Sequence, residues 1–406
     1  TWHFCFNEKT SEMRELNFRI FIILFFMSPL LSFPLIMYYI YLQRKYAYTF
    51  LALFLGFVAL LYAPTHDLFR HNLLYYDFAG ESISGIVFRQ DVLLYTLIAW
   101  FAKWNINFEI IRFLFVFFSY QMYFSLFYSI QRKNTSLNNK RISFLLFLLL
   151  LFSIRFFVIC CGLRQGFATA LTFFGAYKLL VENQKKGYVF LFLAPLTHLS
   201  LIIPVAGALI VKYVRLNFKL GIFIAIVSYV ISMTFMDYFS SFLGGDIGKT
   251  IELYTSGYWG TSGEAEGQIS LKGRIALYIN QLQMLPFIYL MYKIKGKNSY
   301  YSFIVFCFIL CSLTLPYFAI IDRMIMLFMN LSIFFFLQVF NGSRLHLLIG
   351  RIALILVATF FFISLYAERY TIYLSREYKL LAPVPYIMMN NYSEQWLWDN
   401  VKNWKK

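Results

Sequence analysis

Ten apolar runs, each close to the length that crosses a bilayer, govern what this chain can fold into. A helix needs about 20 such residues to span the hydrocarbon core. Runs of that kind fall at roughly 18–42, 46–63, 108–130, 142–161, 163–181, 220–237, 274–293, 300–316, 321–340 and 347–366. With 60% of the chain apolar, 14% charged and a mean hydropathy of +0.65, no soluble core could bury this surface. The sequence reads as an all-α polytopic membrane protein, one membrane domain over residues 1–406. The run 91–103 is too short to cross and reads as an interfacial or half-inserted helix, with Trp104 at its end. The first run is too long for a signal-peptide core and reads as a span. Cys5, Cys160, Cys161, Cys307 and Cys311 show no zinc-ligand spacing and no disulfide framework.

Charge sets the sidedness. The net charge of +17 is concentrated in short turns, among them Arg44-Lys45, Arg132-Lys133, Lys140-Arg141, Lys185-Lys186 and Lys293 to Lys297. Short basic turns stay cytoplasmic and are drawn to anionic headgroups, so the basic balance needs no nucleic acid partner. The acids gather instead in the loops 64–91 and 237–273, which are expected outside. The segment 185–215 has basic residues at both ends and about 25 apolar residues between them, enough for one crossing and not two. It reads as a re-entrant hairpin with Pro195, Thr197, His198 and Ser200 at its apex, since broken backbone at membrane depth must be buried in protein or line a wet cavity. Ten crossings and one hairpin leave both termini outside, with 368–406 as an aromatic outer tail.

A few polar groups need a reason. Arg164 and Gln165 interrupt the apolar sequence in CCGLRQGFATAL, residues 160–171. A snorkelling arginine at a helix end is one explanation. The other is a guanidinium that grips two phosphate oxygens beside a helix N-terminus, which suits a pyrophosphate. His198 could donate to a phosphate or act as a general base. Asp322 and Arg323 either neutralise each other or supply a second outer arginine. The loop 64–91 offers Asp67, Arg70, Tyr75, Asp77 and Arg89, carboxylates for sugar hydroxyls and rings for C–H faces. Tyr258 and Trp259, among glycines in 237–273, suit a flexible lid. There is no carboxylate pair at metal-ligand spacing and no glycine-rich phosphate loop.

Taken in order, HDLFRHNLLYYD, GLRQGFATAL, APLTHLSLIIP, IIDRMIML and the VPY at 384–386 resemble the EpsG/Wzy-type polysaccharide polymerases. The resemblance implies a GT-C-type glycosyltransferase in the bacterial cytoplasmic (inner) membrane, with its active site facing the periplasm or exterior. Donor and acceptor would both be glycan repeat units on undecaprenyl pyrophosphate, and the product an O-antigen, capsule or exopolysaccharide. Membrane lipids, a chain-length regulator and a flippase are the other partners it implies, with no nucleotide sugar and no metal. Arg164 and Arg323, assisted by Gln165, would stabilise the departing pyrophosphate. The proton acceptor would be His198 or, in its place, Asp67 or Asp77. An O-antigen ligase would use the same donor with a lipid A acceptor. A flippase or other transporter would more often show charges in several helices and internal repeats, which this chain lacks.

Overall fold

The computed structural model describes residues 18–78, 91–243, 252 and 271–402, and every regular element among them is helical. Arg89, Tyr258 and Trp259 lie outside the described residues. The chain divides into two compact units. The first is Thr1–Tyr128, Val158–Gly166 and Glu368–Lys406; the second is Ser129–Phe157 and Phe167–Ala367.

In the first unit the expected span 18–42 is two helices, α1 (Phe18–Met27) and α2 (Pro29–Tyr41). Pro29 opens α2 after an extended Ser28; a proline has no N–H to give and its ring clashes with the preceding turn, so the helix restarts there. The next helix, α3 (Lys45–Leu61), packs on α2. The outer loop then yields a helix the hydropathy does not show, α4 (Asp67–Phe78), which buries Leu68, His71, Asn72 and Phe78 and packs on α5 (Val92–Lys103). The long helix α6 (Phe108–Lys133) follows, its last turn belonging to the second unit.

The segment expected as a free outer tail is folded onto this unit. The last carbonyls of a helix have no partner within it, and here each of the final three around α3 receives one. Arg112 donates to Tyr62 O at 2.6 Å and Leu60 O at 3.0 Å, while the Arg376 N–H and the Tyr392 hydroxyl donate to Leu61 O at 3.0 and 2.6 Å. The fully buried Arg112 also places positive charge at the negative end of the α3 dipole. Tyr76 ties α4 to the same segment by donating to Tyr392 O at 2.9 Å.

The second unit follows α6 with α7 (Lys140–Ser153), α8 (Phe156–Cys161) and α9 (Leu163–Leu180), the ends that meet at Gly162 belonging to the first unit. The expected span 142–161 is therefore broken at Ile154 and Arg155. Between 185 and 215 lie α10 (Gly187–Thr197) and α11 (Ile202–Ile210), and the chain folds back between them: Lys212, beyond α11, donates to the Tyr188 hydroxyl in the first turn of α10 at 2.7 Å. Close packing of α9 on α10 depends on two glycines, since a Cβ on Gly187 would lie 2.6 Å from Gly175 O.

The unit continues with α12 (Phe218–Leu243), α13 (Leu271–Leu282), α14 (Leu285–Ile294), α15 (Ser299–Thr314), α16 (Phe318–Val339) and α17 (Arg344–Ala367). Pro286 in the first turn of α14 divides the expected span 274–293. The centre of the unit is α16, whose apolar window is 83% buried, against 22% for α17. Much of what α17 and α12 expose is apolar, including Ile355, Phe362, Phe223 and Ile226. A soluble protein seldom leaves such stripes uncovered, whereas lipid covers them. By length and composition α6, α16 and α17 can each cross a bilayer.

Candidate active site

Arg164 is the second residue of α9, just past a turn that only glycine permits. A Cβ on Gly162 would sit 2.9 Å from Val158 O, and one on Gly166 would run into the backbone of Ile159. The guanidinium donates through Nη1 to Asp91 Oδ2 at 2.7 Å, with the Tyr95 hydroxyl at 3.5 Å. Nη2 and Nε donate to nothing among the described residues. Asp91 stands at the N-cap position of α5 with φ of +62°, and its carboxylate turns to Arg164 instead of capping the helix. The Asp91 side chain is 5% exposed and that of Arg164 is 26% exposed, so the pair is shielded while the arginine keeps an open edge.

His71, buried on α4, lies edge-on to Tyr95 with centroids 6.1 Å apart. Burial first, and then the Arg164 charge, push its pKa down to about 4, so it is neutral at physiological pH. Gln165 is buried beside Arg164 in sequence. On the outer side of α4, Asp67 and Arg70 form an exposed ion pair at 3.1 Å. Asp77 is exposed and Tyr75 half-buried on the same helix. The first unit thus brings Arg164, Asp91, Tyr95 and His71 together, the last three from elements whose link to Arg164 no local pattern shows.

In the second unit, Asp322 on α16 does not pair with Arg323. Neighbouring side chains on a helix diverge, and Asp322 binds Arg155 instead, at 2.6 Å between Nη1 and Oδ1. Asn280 on α13 donates to the same oxygen at 2.8 Å and accepts from Arg155 Nη2. Arg155 lies over the Phe360 ring at 4.9 Å. Arg323 is half-buried. His198 occupies the break between α10 and the helical turn before α11, with extended backbone at φ −154° and ψ 114°. A cavity of about 500 Å³ in this unit lies among the basic turns, lined by Lys133, Tyr177, Glu182, Gln184 and Gln338 among others, none of them expected from the sequence.

A second carboxylate cluster in the first unit was not legible in the sequence. Glu368 Oε2 accepts from the Tyr62 and Thr371 hydroxyls at 3.2 and 3.0 Å, and His66 Nε2 lies 3.3 Å from each Glu368 oxygen. Burial alone would raise the Glu368 carboxyl, but the hydrogen bonds from His66, Thr371 and Tyr62 outweigh it and hold the group below its ordinary value. These residues lie at 62–66 and 368–371, far apart in sequence and in polar stretches where no single residue stands out. Among the described residues there is no group of three or more His, Cys, Asp or Glu that could hold a metal ion, and the four cysteines are free and buried.

A helical fold with lipid-type apolar faces and a few shielded charge clusters defines an all-α integral membrane protein. Residues 72–379 match the model of the EpsG family, and the chain belongs to that family. Membership points to a polysaccharide-polymerase-type, glycosyltransferase-like role in a membrane. The matched stretch contains Arg164, His198, Asp322, Arg323 and Glu368, and leaves His66, Asp67, Arg70 and His71 outside. Neither a curated protein nor a solved structure shows significant similarity to the chain.

Proposed function

We propose that this protein joins undecaprenyl-pyrophosphate-linked glycan repeat units into a surface polysaccharide, by metal-independent glycosyl transfer of the GT-C type at the outer leaflet of the bacterial inner membrane. The observation that carries the reading is the state of Arg164. An arginine in an apolar run costs roughly 2.5–3.5 kcal/mol at mid-bilayer, less near the interface. Asp91 offsets part of that through one nitrogen and fixes the plane of the guanidinium, while Nη2 and Nε, which donate to nothing among the described residues, suit two oxygens of a phosphate. A prepositioned cation aimed at charge that develops in the transition state accelerates departure of a pyrophosphate. Gln165 is the assisting donor beside Arg164; in the second unit Arg323 is a further candidate for the pyrophosphate, and Asp322, with Oδ1 already held by Arg155 and Asn280, is a fixed carboxylate suited to sugar hydroxyls. Asp67, Arg70, Tyr75, Asp77, Arg89, Tyr258 and Trp259 are the remaining glycan-binding candidates, with His198 a candidate base. A flippase and a chain-length regulator are the candidate protein partners for this role.

The test is conversion of purified lipid-linked repeat units, in detergent and with a chelator present throughout. Wild-type protein is expected to give a ladder of chain lengths. Arg164→Lys keeps the charge but loses the fork, and is expected to abolish the ladder while Arg351→Lys, at an exposed site on α17, leaves it intact. A wild-type ladder from Arg164→Lys overturns the pyrophosphate role of Arg164. Transfer to lipid A without a ladder identifies a ligase, and movement of the lipid without a new bond identifies a flippase; either result overturns the polymerase reading.

A further inference from the structure

We infer that His66 and Glu368 form the pair that takes the proton from the acceptor hydroxyl, an assignment that rests on the glycosyl-transfer reading above. Three features set His66 apart from an ordinary surface histidine. Its Nε2 lies 3.3 Å from both oxygens of one carboxylate, so the ring is oriented by a group that only accepts. That carboxylate is shielded, with its side chain 20% exposed and two hydroxyls from Tyr62 and Thr371 on Oε2, while the His66 side chain is 59% exposed. The backbone at His66 is also held at φ +55°, a left-handed conformation that only a few per cent of non-glycine residues adopt, histidine more readily than most, and that collects at functional sites. A nucleophile's base oriented by a third group is the arrangement that recurs wherever a hydroxyl must be activated.

The contacts fix the roles of the ring nitrogens. An ionised carboxylate can only accept, so Nε2 carries the hydrogen and Nδ1 the lone pair in the neutral ring. In the transfer step the acceptor oxygen forms its bond to the anomeric carbon, and the bond from that carbon to the pyrophosphate oxygen breaks, its electron pair leaving with the lipid pyrophosphate. The acceptor O–H bond breaks and its proton passes to Nδ1. Glu368 stabilises the imidazolium that results, and water recovers the proton afterwards. Tyr62 and Thr371 hold the carboxylate in register and do not exchange protons in the step. His66 lies outside the stretch matched by the family and Glu368 inside it, so the pair joins the region before that stretch to the C-terminal segment.

The experiment measures chain extension by purified protein on lipid-linked repeat units. His66→Ala is expected to lower kcat by about 100- to 10,000-fold, with the acceptor KM within about twofold of wild type, and millimolar imidazole is expected to restore part of the rate. Glu368→Gln should lower kcat, and Glu368→Asp should recover some of that loss. Thermal melting of each variant separates a chemical defect from misfolding, and His66→Gln serves where His66→Ala is unstable. Wild-type kcat in folded His66→Ala or His66→Gln overturns the assignment, as does a loss in His66→Ala that imidazole fails to restore together with a kcat loss in His198→Gln. Absence of any ladder from wild-type protein is a different result: it refutes the polymerase reading itself, whereas the variants are judged only against an active wild type.

Discussion

Arg155 interrupts the apolar run 142–161, and in the fold it organises a three-residue network. One guanidinium nitrogen binds Asp322 and the other Asn280, a division of labour that needs a planar fork. Lysine presents its donors from one nitrogen on a flexible stem and cannot reproduce the two separated, coplanar contacts. Arg155→Lys is therefore expected to lose a charge-assisted hydrogen bond worth about 1.5–3 kcal/mol and to lower the melting temperature in detergent, while Arg351→Lys on exposed α17 leaves it unchanged; equal melting of the two variants would refute the network's structural weight. The same comparison shows what the sequence could convey. A charge in an apolar run is visible, so Arg164 stood out at once. Its counter-ion is not: Asp91 lies 73 residues away, and nothing in local spacing reports a tertiary pair. Mutual neutralisation of Asp322 and Arg323 was one of two readings their adjacency allows, yet adjacency on a helix separates side chains instead of joining them.

Helices long and apolar enough to register by hydropathy were legible, and those shaped by polar contacts were not. The starts of α3, α6, α9 and α17 fall close to their apolar runs, whereas α4 was read as loop because half of what it buries is polar, His71 and Asn72 beside Leu68 and Phe78. The C-terminal segment was read as a tail because its short helices, such as Val384–Met388 and Glu394–Leu397, carry no period of their own. It is ordered by the carbonyls it caps at the end of α3. That segment also carries a pH-sensitive group. Burial raises the Glu377 carboxyl from 4.5 to about 7, against the opposing pull of its own backbone N–H and Ser375. A raised pKa means the folded state keeps a proton that the unfolded chain releases, so this contribution is full below about 4.5 and lost as pH rises through about 7. His71, pushed down to about 4, acts in the opposite sense from there up to its ordinary 6.5. The readout is therefore a difference: between pH 5 and pH 8 the melting temperature of Glu377→Gln in detergent should fall less than that of wild type, the gap opening mostly from pH 5 to 7. Parallel melting curves for the two proteins would show that Glu377 is ionised throughout.

At the scale of the whole molecule, the distribution of charge makes a claim about sidedness that the helix lengths sharpen. At 1.5 Å per residue, the 11 residues of α10 and the 9 of α11 reach about 16 and 14 Å, each roughly half of the ~30 Å hydrocarbon core. Neither arm is long enough to cross alone, and the Lys212 contact to Tyr188 closes the two arms on each other, so both ends of the segment are expected to emerge on one side. Lys185, Lys186, Lys212 and Arg215 cluster at those ends, and the positive-inside tendency assigns that side to the cytoplasm. His198, at the fold-back, would then sit within the membrane thickness. Single cysteines at Lys186 and Tyr213, the latter 80% exposed, read this directly in a Cys5→Ser background, since the other four cysteines are buried. In intact cells both positions should resist a membrane-impermeant maleimide, and both should label once the membrane is opened. Labelling of one position alone from outside would make 185–215 a true crossing and invert every outer assignment on one side of it in the chain. Labelling of both would keep the hairpin and reverse the orientation of the protein, placing Arg164 and the acids around it on the cytoplasmic face, where an undecaprenyl-linked acceptor awaiting export could not be extended at the outer leaflet.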